Sequence, residues 1–262
     1  SRAQCKEVSS AILHRAVKYC VILPPRYDAD TSQRFPVLYW LHGYGDGERT
    51  LVQSDGWDMV EQAWEQSKIG RFIVATPDAG DTFYVNSRDG SEAYEDFFIR
   101  EFIPEIEKLY RAVGKPQGRA LGGFSMGGYG ALRFAFKYPK LFASVAVHSA
   151  SLDENRDTGM TSSGGILRAY GVPFDVQYWK QNTPFAFVRS AKNFGKLKIY
   201  FDCGTEDGFG LTAGAQALHD LLSEKKIPHE FHLYPGNHSW DYVEEHFGES
   251  LAFQSRALQA KP

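Results

Sequence analysis

The sequence predicts an α/β domain: a mostly parallel sheet with helices on both faces and an antiparallel hairpin at its N-terminal end. Three observations predict it. Short apolar runs alternate with helical stripes along most of the chain, the signature of crossover connections between parallel strands. A glycine-rich turn, Gly122-Gly123-Phe124-Ser125-Met126-Gly127-Gly128-Tyr129-Gly130, follows one such run and opens a helical pattern. The 262 residues, 43% hydrophobic and 15% aromatic, supply the core of a single domain spanning 1–262.

The elements follow in order. Cys5 and Cys20 flank a hairpin whose turn lies near Ile12 and Leu13. Symmetric pairing about that turn sets the two cysteines opposite each other, at a separation that suits a disulfide. Such a bond places the protein in a secreted or periplasmic setting; two free thiols would fit the cytoplasm. Cys203 is left as a small buried hydrophobe. Arg15 to Leu23 is a strand ended by Pro24-Pro25. Pro36 to Leu41 is a continuous apolar run, so a strand buried on both faces, and it leads into His42-Gly43-Tyr44-Gly45. Trp57, Val60 and Trp64 form a helical stripe, and Arg71 to Thr76 is a further strand. Tyr94 to Tyr110 is helical, with Phe98, Phe102, Ile106 and Leu109 on one side and a kink or split at Pro104.

After the glycine-rich turn, Ala131, Phe134 and Ala135 mark a helix stopped by Pro139. Phe142 to His148, Lys196 to Phe201 and His229 to Tyr234 are strands, Ala213 to Leu222 is a helix, and a last helix starts near Asp241. The stretch 151–196 is too long for a plain connection and is expected to form a small cap-like insert. Within it lie Thr161-Ser162-Ser163-Gly164-Gly165 and the Thr183-Pro184 pair, an N-cap followed by a first-turn proline.

Composition excludes several function classes. The net charge is −3 and no basic stripe stands out, which argues against nucleic acid. No apolar run reaches bilayer length, so membrane insertion is not expected. No His and Cys spacing matches a zinc pattern, and neither G-K-[ST] nor G-x-G-x-x-G occurs, so no metal or nucleotide cofactor is expected. The sequence opens on Ser1 rather than Met, the pattern of a processed or trimmed chain.

The chemistry centres on Ser125. In G-x-S-x-G the serine stands on a strained strand-to-helix turn with its hydroxyl exposed. The flanking positions Gly123 and Gly127 press together, and the Met126 N–H faces the place where an oxyanion would form. A serine needs a base, and the base needs an orienting carboxylate. Of eight histidines, only His238 follows the last strand in a loop. For the carboxylate, Asp207 lies beyond a strand end in a Gly-bounded loop; Glu206 is second choice, and Asp202 is still in the strand. The second oxyanion donor is expected from Tyr44 N–H, with Gly43 next.

These residues resemble a known family. His42-Gly43-Tyr44-Gly45, Gly123 to Leu132, Asp202-Cys203-Gly204-Thr205-Glu206-Asp207 and His238-Ser239-Trp240 are similar to the esterase D family of α/β-hydrolases. The resemblance runs from about Val17 to Phe247 and implies an α/β-hydrolase fold. It implies Ser125 as nucleophile, Asp207 as acid, His238 as base, and Tyr44 with Met126 as oxyanion donors. That family includes tributyrin-type carboxylesterases, bacterial feruloyl esterases, S-formylglutathione hydrolases and mycolyl-transferring proteins. Gly-Gly-Tyr-Gly after Ser125-Met126 departs from the mycolyltransferases, and the glycine-rich loop at His42 departs from the formylglutathione hydrolases. Both departures favour the carboxylesterase and feruloyl esterase branch.

The implied activity is two-step hydrolysis of short acyl or hydroxycinnamoyl esters, on small molecules or plant polysaccharide. Acyl transfer to an alcohol or sugar, or thioester hydrolysis, is the alternative. Candidate substrate contacts are His42, His148, Tyr84 and the aromatic insert residue Trp179. The sequon Asn237-His238-Ser239 falls on the proposed base and is read as accidental.

Overall fold

The computed structural model describes residues 2–29, 31–153 and 164–261. Its eight strands are β1 (Ala3–Ser10), β2 (Arg15–Ile22), β3 (Val37–Leu41), β4 (Ile73–Pro77), β5 (Arg119–Phe124), β6 (Ser144–His148), β7 (Lys198–Gly204) and β8 (Glu230–Tyr234). They form one sheet in the order β1-β2-β4-β3-β5-β6-β7-β8. The β1–β2 and β2–β4 pairs are antiparallel and every other pair is parallel. This is the α/β-hydrolase architecture, and the ends of β3, β5, β6, β7 and β8 open along one rim.

Side-chain alternation explains why β3 is apolar throughout. Val37, Tyr39 and Leu41 pack into the larger core, while Leu38 and Trp40 face the second. The larger core is tightly aromatic; the Phe98 and Phe134 rings stack at 4.7 Å. The second lies under α1 (Thr50–Gln53), α2 (Gly56–Glu65) and the C-terminal helix, where Trp40 meets Phe247 edge to face at 4.8 Å.

The hairpin register is Cys5 opposite Cys20, and the two sulfurs are bonded. The expected kink or split at Pro104 takes the form of a π turn just before it. The segment runs as α3 (Tyr94–Phe97), a π-helical turn (Phe98–Phe102) and α4 (Ile103–Leu109), with Pro104 in the first turn of α4. A wide turn just before a proline accommodates its missing N–H without breaking the helix. Leu109, expected on the buried side with Phe98, Phe102 and Ile106, is 53% exposed. The register shift introduced by the π turn rotates the last residue out to solvent.

After β5 comes α5 (Met126–Lys137), and after β6 the insert supplies α6 (Gly164–Tyr170), α7 (Val176–Asn182) and α8 (Pro184–Ser190). Residues 154–163, including Thr161 to Ser163, lie outside the described residues. Thr183 caps α8 by accepting the Ala186 N–H, as the Thr183-Pro184 pair suggests. The insert is fastened through Arg133, a fully buried side chain of α5. It donates to the Asn182 carbonyl at 3.0 Å and to Asn182 Oδ1 at 2.8 Å, and it pairs with Glu95 at 2.5 Å. Helices α9 (Leu211–Glu224) and α10 (Trp240–Ala257) complete the chain.

Candidate active site

Ser125 sits between β5 and α5 with φ 55° and ψ −117°, a left-handed conformation that costs free energy in an L-residue. The end of β6 and the residues just after it hold it there. Ser125 N–H donates to the His148 carbonyl at 3.1 Å, and the Ser125 carbonyl accepts from Ser151 N–H at 2.9 Å. The turn also needs a bare backbone at Gly127, where a Cβ would stand 2.0 Å from the Leu41 carbonyl oxygen. At Gly123 a Cβ would stand 2.6 Å from the Gly127 carbonyl carbon.

The structure brings Ser125, His238 and Asp207 together from three separate strand ends. Ser125 Oγ lies 2.9 Å from His238 Nε2, and His238 Nδ1 lies 2.7 Å from Asp207 Oδ2. The remaining Asp207 oxygen accepts the Phe209 N–H at 2.9 Å. The Asp207 carboxyl is buried, which strengthens its bond to the imidazole. The imidazole lies over the Phe124 ring at 4.7 Å, and Phe209 meets it edge to face at 4.9 Å. Glu206, the second choice for the acid, is exposed; its N–H donates to the Gly236 carbonyl at 2.9 Å. That bond joins the loop of Asp207 to the loop of His238.

Met126 opens α5, so its N–H has no acceptor within the helix. Tyr44 lies in the loop after β3, whose own bonds use Asp46 N–H to the Gly43 carbonyl and Gly45 N–H to Asp81. The Tyr44 side chain is 46% exposed, and its hydroxyl accepts Gly165 N–H at 3.3 Å, tying this loop to the insert.

The four residues expected to contact substrate are all buried. His42 and Trp179 are each 3% exposed, and His148 and Tyr84 are 0%. Each has a structural task. His42 donates from Nδ1 to the Gly43 carbonyl at 2.8 Å and accepts Ala79 N–H at Nε2 at 2.9 Å. That pattern defines a neutral ring, and burial pushes its pKa below the ordinary value. Tyr84 donates its hydroxyl to the His42 carbonyl at 2.9 Å. Trp179 packs against Phe174 in the insert, and His148 is bonded to Asp202 and Ser250. Cys203 is buried beneath the site; burial and then the Asp207 charge push its thiol up to about 12, so it is no competing nucleophile.

Sequence reasoning missed Phe209. It stands 62% exposed beside the imidazole, two residues beyond Asp207. The signal was available: a large apolar residue inside a glycine-bounded loop that already carries a candidate acid.

Among the described residues, no group of three or more His, Cys, Asp or Glu is placed to hold a metal ion. Among those same residues, no helix is long and apolar enough to cross a membrane.

An esterase of Mycobacterium tuberculosis is 31% identical over 246 residues, covering 83% of this chain and 51% of that protein. The chain thus spans about half the length of the first curated relatives it matches. The mouse (Mus musculus) S-formylglutathione hydrolase is 27% identical over 275 residues, covering 97% of this chain and 93% of that one. A solved ferulic acid esterase superposes with TM-score 0.85 at 24% identity, over 98% of both chains, which establishes the shared fold. The family described as "Putative esterase" matches residues 10–257, and the chain belongs to that esterase family.

Proposed function

We propose that the protein is a serine carboxylic ester hydrolase working through an acyl-enzyme, with Ser125 as nucleophile, His238 as base and Asp207 as orienting acid. The relay Asp207–His238–Ser125, at 2.7 Å and 2.9 Å, carries this reading. His238 Nε2 takes the hydroxyl proton as Ser125 Oγ attacks the ester carbonyl. Negative charge collects on the carbonyl oxygen, where the N–H groups of Met126 and Tyr44 are assigned to receive it, at about 3 kcal/mol of barrier each. The tetrahedral intermediate collapses, His238 passes its proton to the leaving alkoxide, and the acyl group stays on Ser125. Water then repeats the sequence and releases the acid.

Short acyl and hydroxycinnamoyl esters, on small molecules or plant polysaccharide, are the proposed substrates. Exposed Tyr44 and Phe209 support this by offering aromatic surface around the relay. The Cys5–Cys20 bond supports a working place outside the reducing cytoplasm. Thioester hydrolysis is the second reading, favoured by the mouse relative that aligns over 97% of this chain.

The test is a panel of p-nitrophenyl acetate, p-nitrophenyl butyrate, methyl ferulate and an S-formyl thioester, run on wild type and Ser125→Ala. Turnover of the oxygen esters should fall by about 10⁴-fold or more in the variant. A folded Ser125→Ala that keeps wild-type turnover overturns the assignment. Hydrolysis of the thioester alone replaces the first reading with the second.

A further inference from the structure

Behind the relay lies a second buried polar cluster, built on Asp202. Its carboxylate is 1% exposed and accepts three hydrogen bonds. Tyr242 Oη donates at 2.8 Å, Tyr200 Oη at 3.0 Å, and His148 Nδ1 lies 2.9 Å from Oδ2. On its other side the His148 ring meets Ser250 Oγ at 2.8 Å, and Ser250 in turn donates to the Phe247 carbonyl of α10 at 2.9 Å. Burial, and next the facing Asp202 charge, hold both tyrosine hydroxyls far above their ordinary pKa, so they stay donors. A buried carboxylate is costly unless its lone pairs are satisfied, and here they are.

The members of this cluster lie beside, or are bonded to, the segments that carry the relay. His148 ends β6, and its backbone carbonyl is the acceptor that holds Ser125 N–H. Asp202 lies in β7, five positions before Asp207, and its backbone carbonyl accepts Ser149 N–H at 2.8 Å. Tyr242 lies in the first turn of α10, four positions after His238; its N–H is capped by Ser239 Oγ at 3.3 Å. The Tyr242 ring also walls the His238 loop: a Cβ on Gly236 would stand 2.7 Å from Tyr242 Cδ2. Gly236, at φ 140°, is the residue whose carbonyl joins the two loops through Glu206 N–H.

We propose that Asp202, His148 and Tyr242 form a positioning hub that sets the spacing of Ser125, His238 and Asp207. None of them touches the reacting atoms; they act through the backbone of the three strand ends. The proposal rests on the relay reading and extends it. A relay of two short hydrogen bonds tolerates little displacement, and a misplacement of about 1 Å can cost on the order of a hundredfold in rate.

The test uses Tyr242→Phe and Asp202→Asn. Tyr242→Phe removes one hydroxyl and keeps the ring against Gly236; Asp202→Asn keeps the shape and removes the charge. An organophosphate carrying p-nitrophenol counts reactive serines, since each one releases a single nitrophenolate, and turnover is expressed per titrated site. Both variants should titrate, with turnover per site down about tenfold to a hundredfold and KM little changed. A merely structural cluster would lower thermal stability or the titrated fraction and leave turnover per site unaltered, which overturns the proposal. Where Asp202→Asn does not fold, Tyr242→Phe decides. Wild type that releases no nitrophenolate overturns the Ser125 reading and the hub with it; normal release with unchanged turnover overturns the hub alone.

Discussion

Gly127→Ala tests the elbow most directly. The added methyl would stand 2.0 Å from the Leu41 carbonyl oxygen, 2.4 Å from its carbon and 2.6 Å from the His42 carbonyl oxygen. All three atoms are backbone, so no rotamer relieves the clash. Carbon and oxygen do not approach closer than about 3 Å, so the start of α5 and the end of β3 must part by about 1 Å. That movement separates Ser125 and Met126 from the loop that carries Tyr44. The expected cost is about a hundredfold in kcat/KM and about 1–3 kcal/mol of stability from overpacking. Gly47→Ala is the control: it lies in the same loop, where an added methyl would meet nothing within 4 Å. Ester turnover per titrated serine and thermal melting of both variants give the answer. Gly127→Ala with turnover within twofold of wild type would refute the argument.

Three further outcomes follow from the same geometry. Asp207→Asn should lose about 10⁴-fold in kcat while melting near wild type, because Oδ1 can still accept the Phe209 N–H; steady-state kinetics and calorimetry check both halves. Replacing Cys5 and Cys20 with serine opens a link between residues 15 apart and should cost about 3 kcal/mol, read as a lower melting temperature. Room-temperature activity should hold, since β4 and β3 separate the hairpin from β5. His42 gives a pH dependence of defined sign. Burial lowers its folded pKa, so below about pH 6.5 the unfolded chain takes up the proton first and stability falls as pH drops towards the folded value. The slope is at most about 1.4 kcal/mol per pH unit and should be missing in His42→Gln. Urea unfolding of the two proteins across that range, giving parallel curves, would count against it.

Much of the architecture was legible because it rests on local patterns. The alternation of apolar runs and helical stripes placed the strands and the helix after Ser125, and hairpin symmetry alone set Cys5 against Cys20. Chain order and loop position singled out Ser125, Asp207 and His238, which the fold places within hydrogen-bond reach of each other. What was not legible was direction. His148 ends β6 beside the site, yet its ring turns away from the rim towards Asp202 and α10. His42 and Tyr84 sit in loops near Ser125, yet both point inward to brace the chain. Position along a sequence fixes which strand end a residue occupies; which way its side chain faces depends on tertiary packing. Leu109 failed for a related reason, since a single π turn rotated it off the apolar stripe.

The two outer strands of the sheet are unequally secured. β1 is stapled to its neighbour by a covalent bond, whereas every residue of β8 is exposed or half-buried, and β8 runs straight into the loop of His238. Heating should therefore loosen the imidazole's side of the molecule before the stapled side. Inactivation should set in below the temperature at which the helices melt. Reinforcing the β8 margin should preserve ester turnover on warming more than reinforcing the hairpin does.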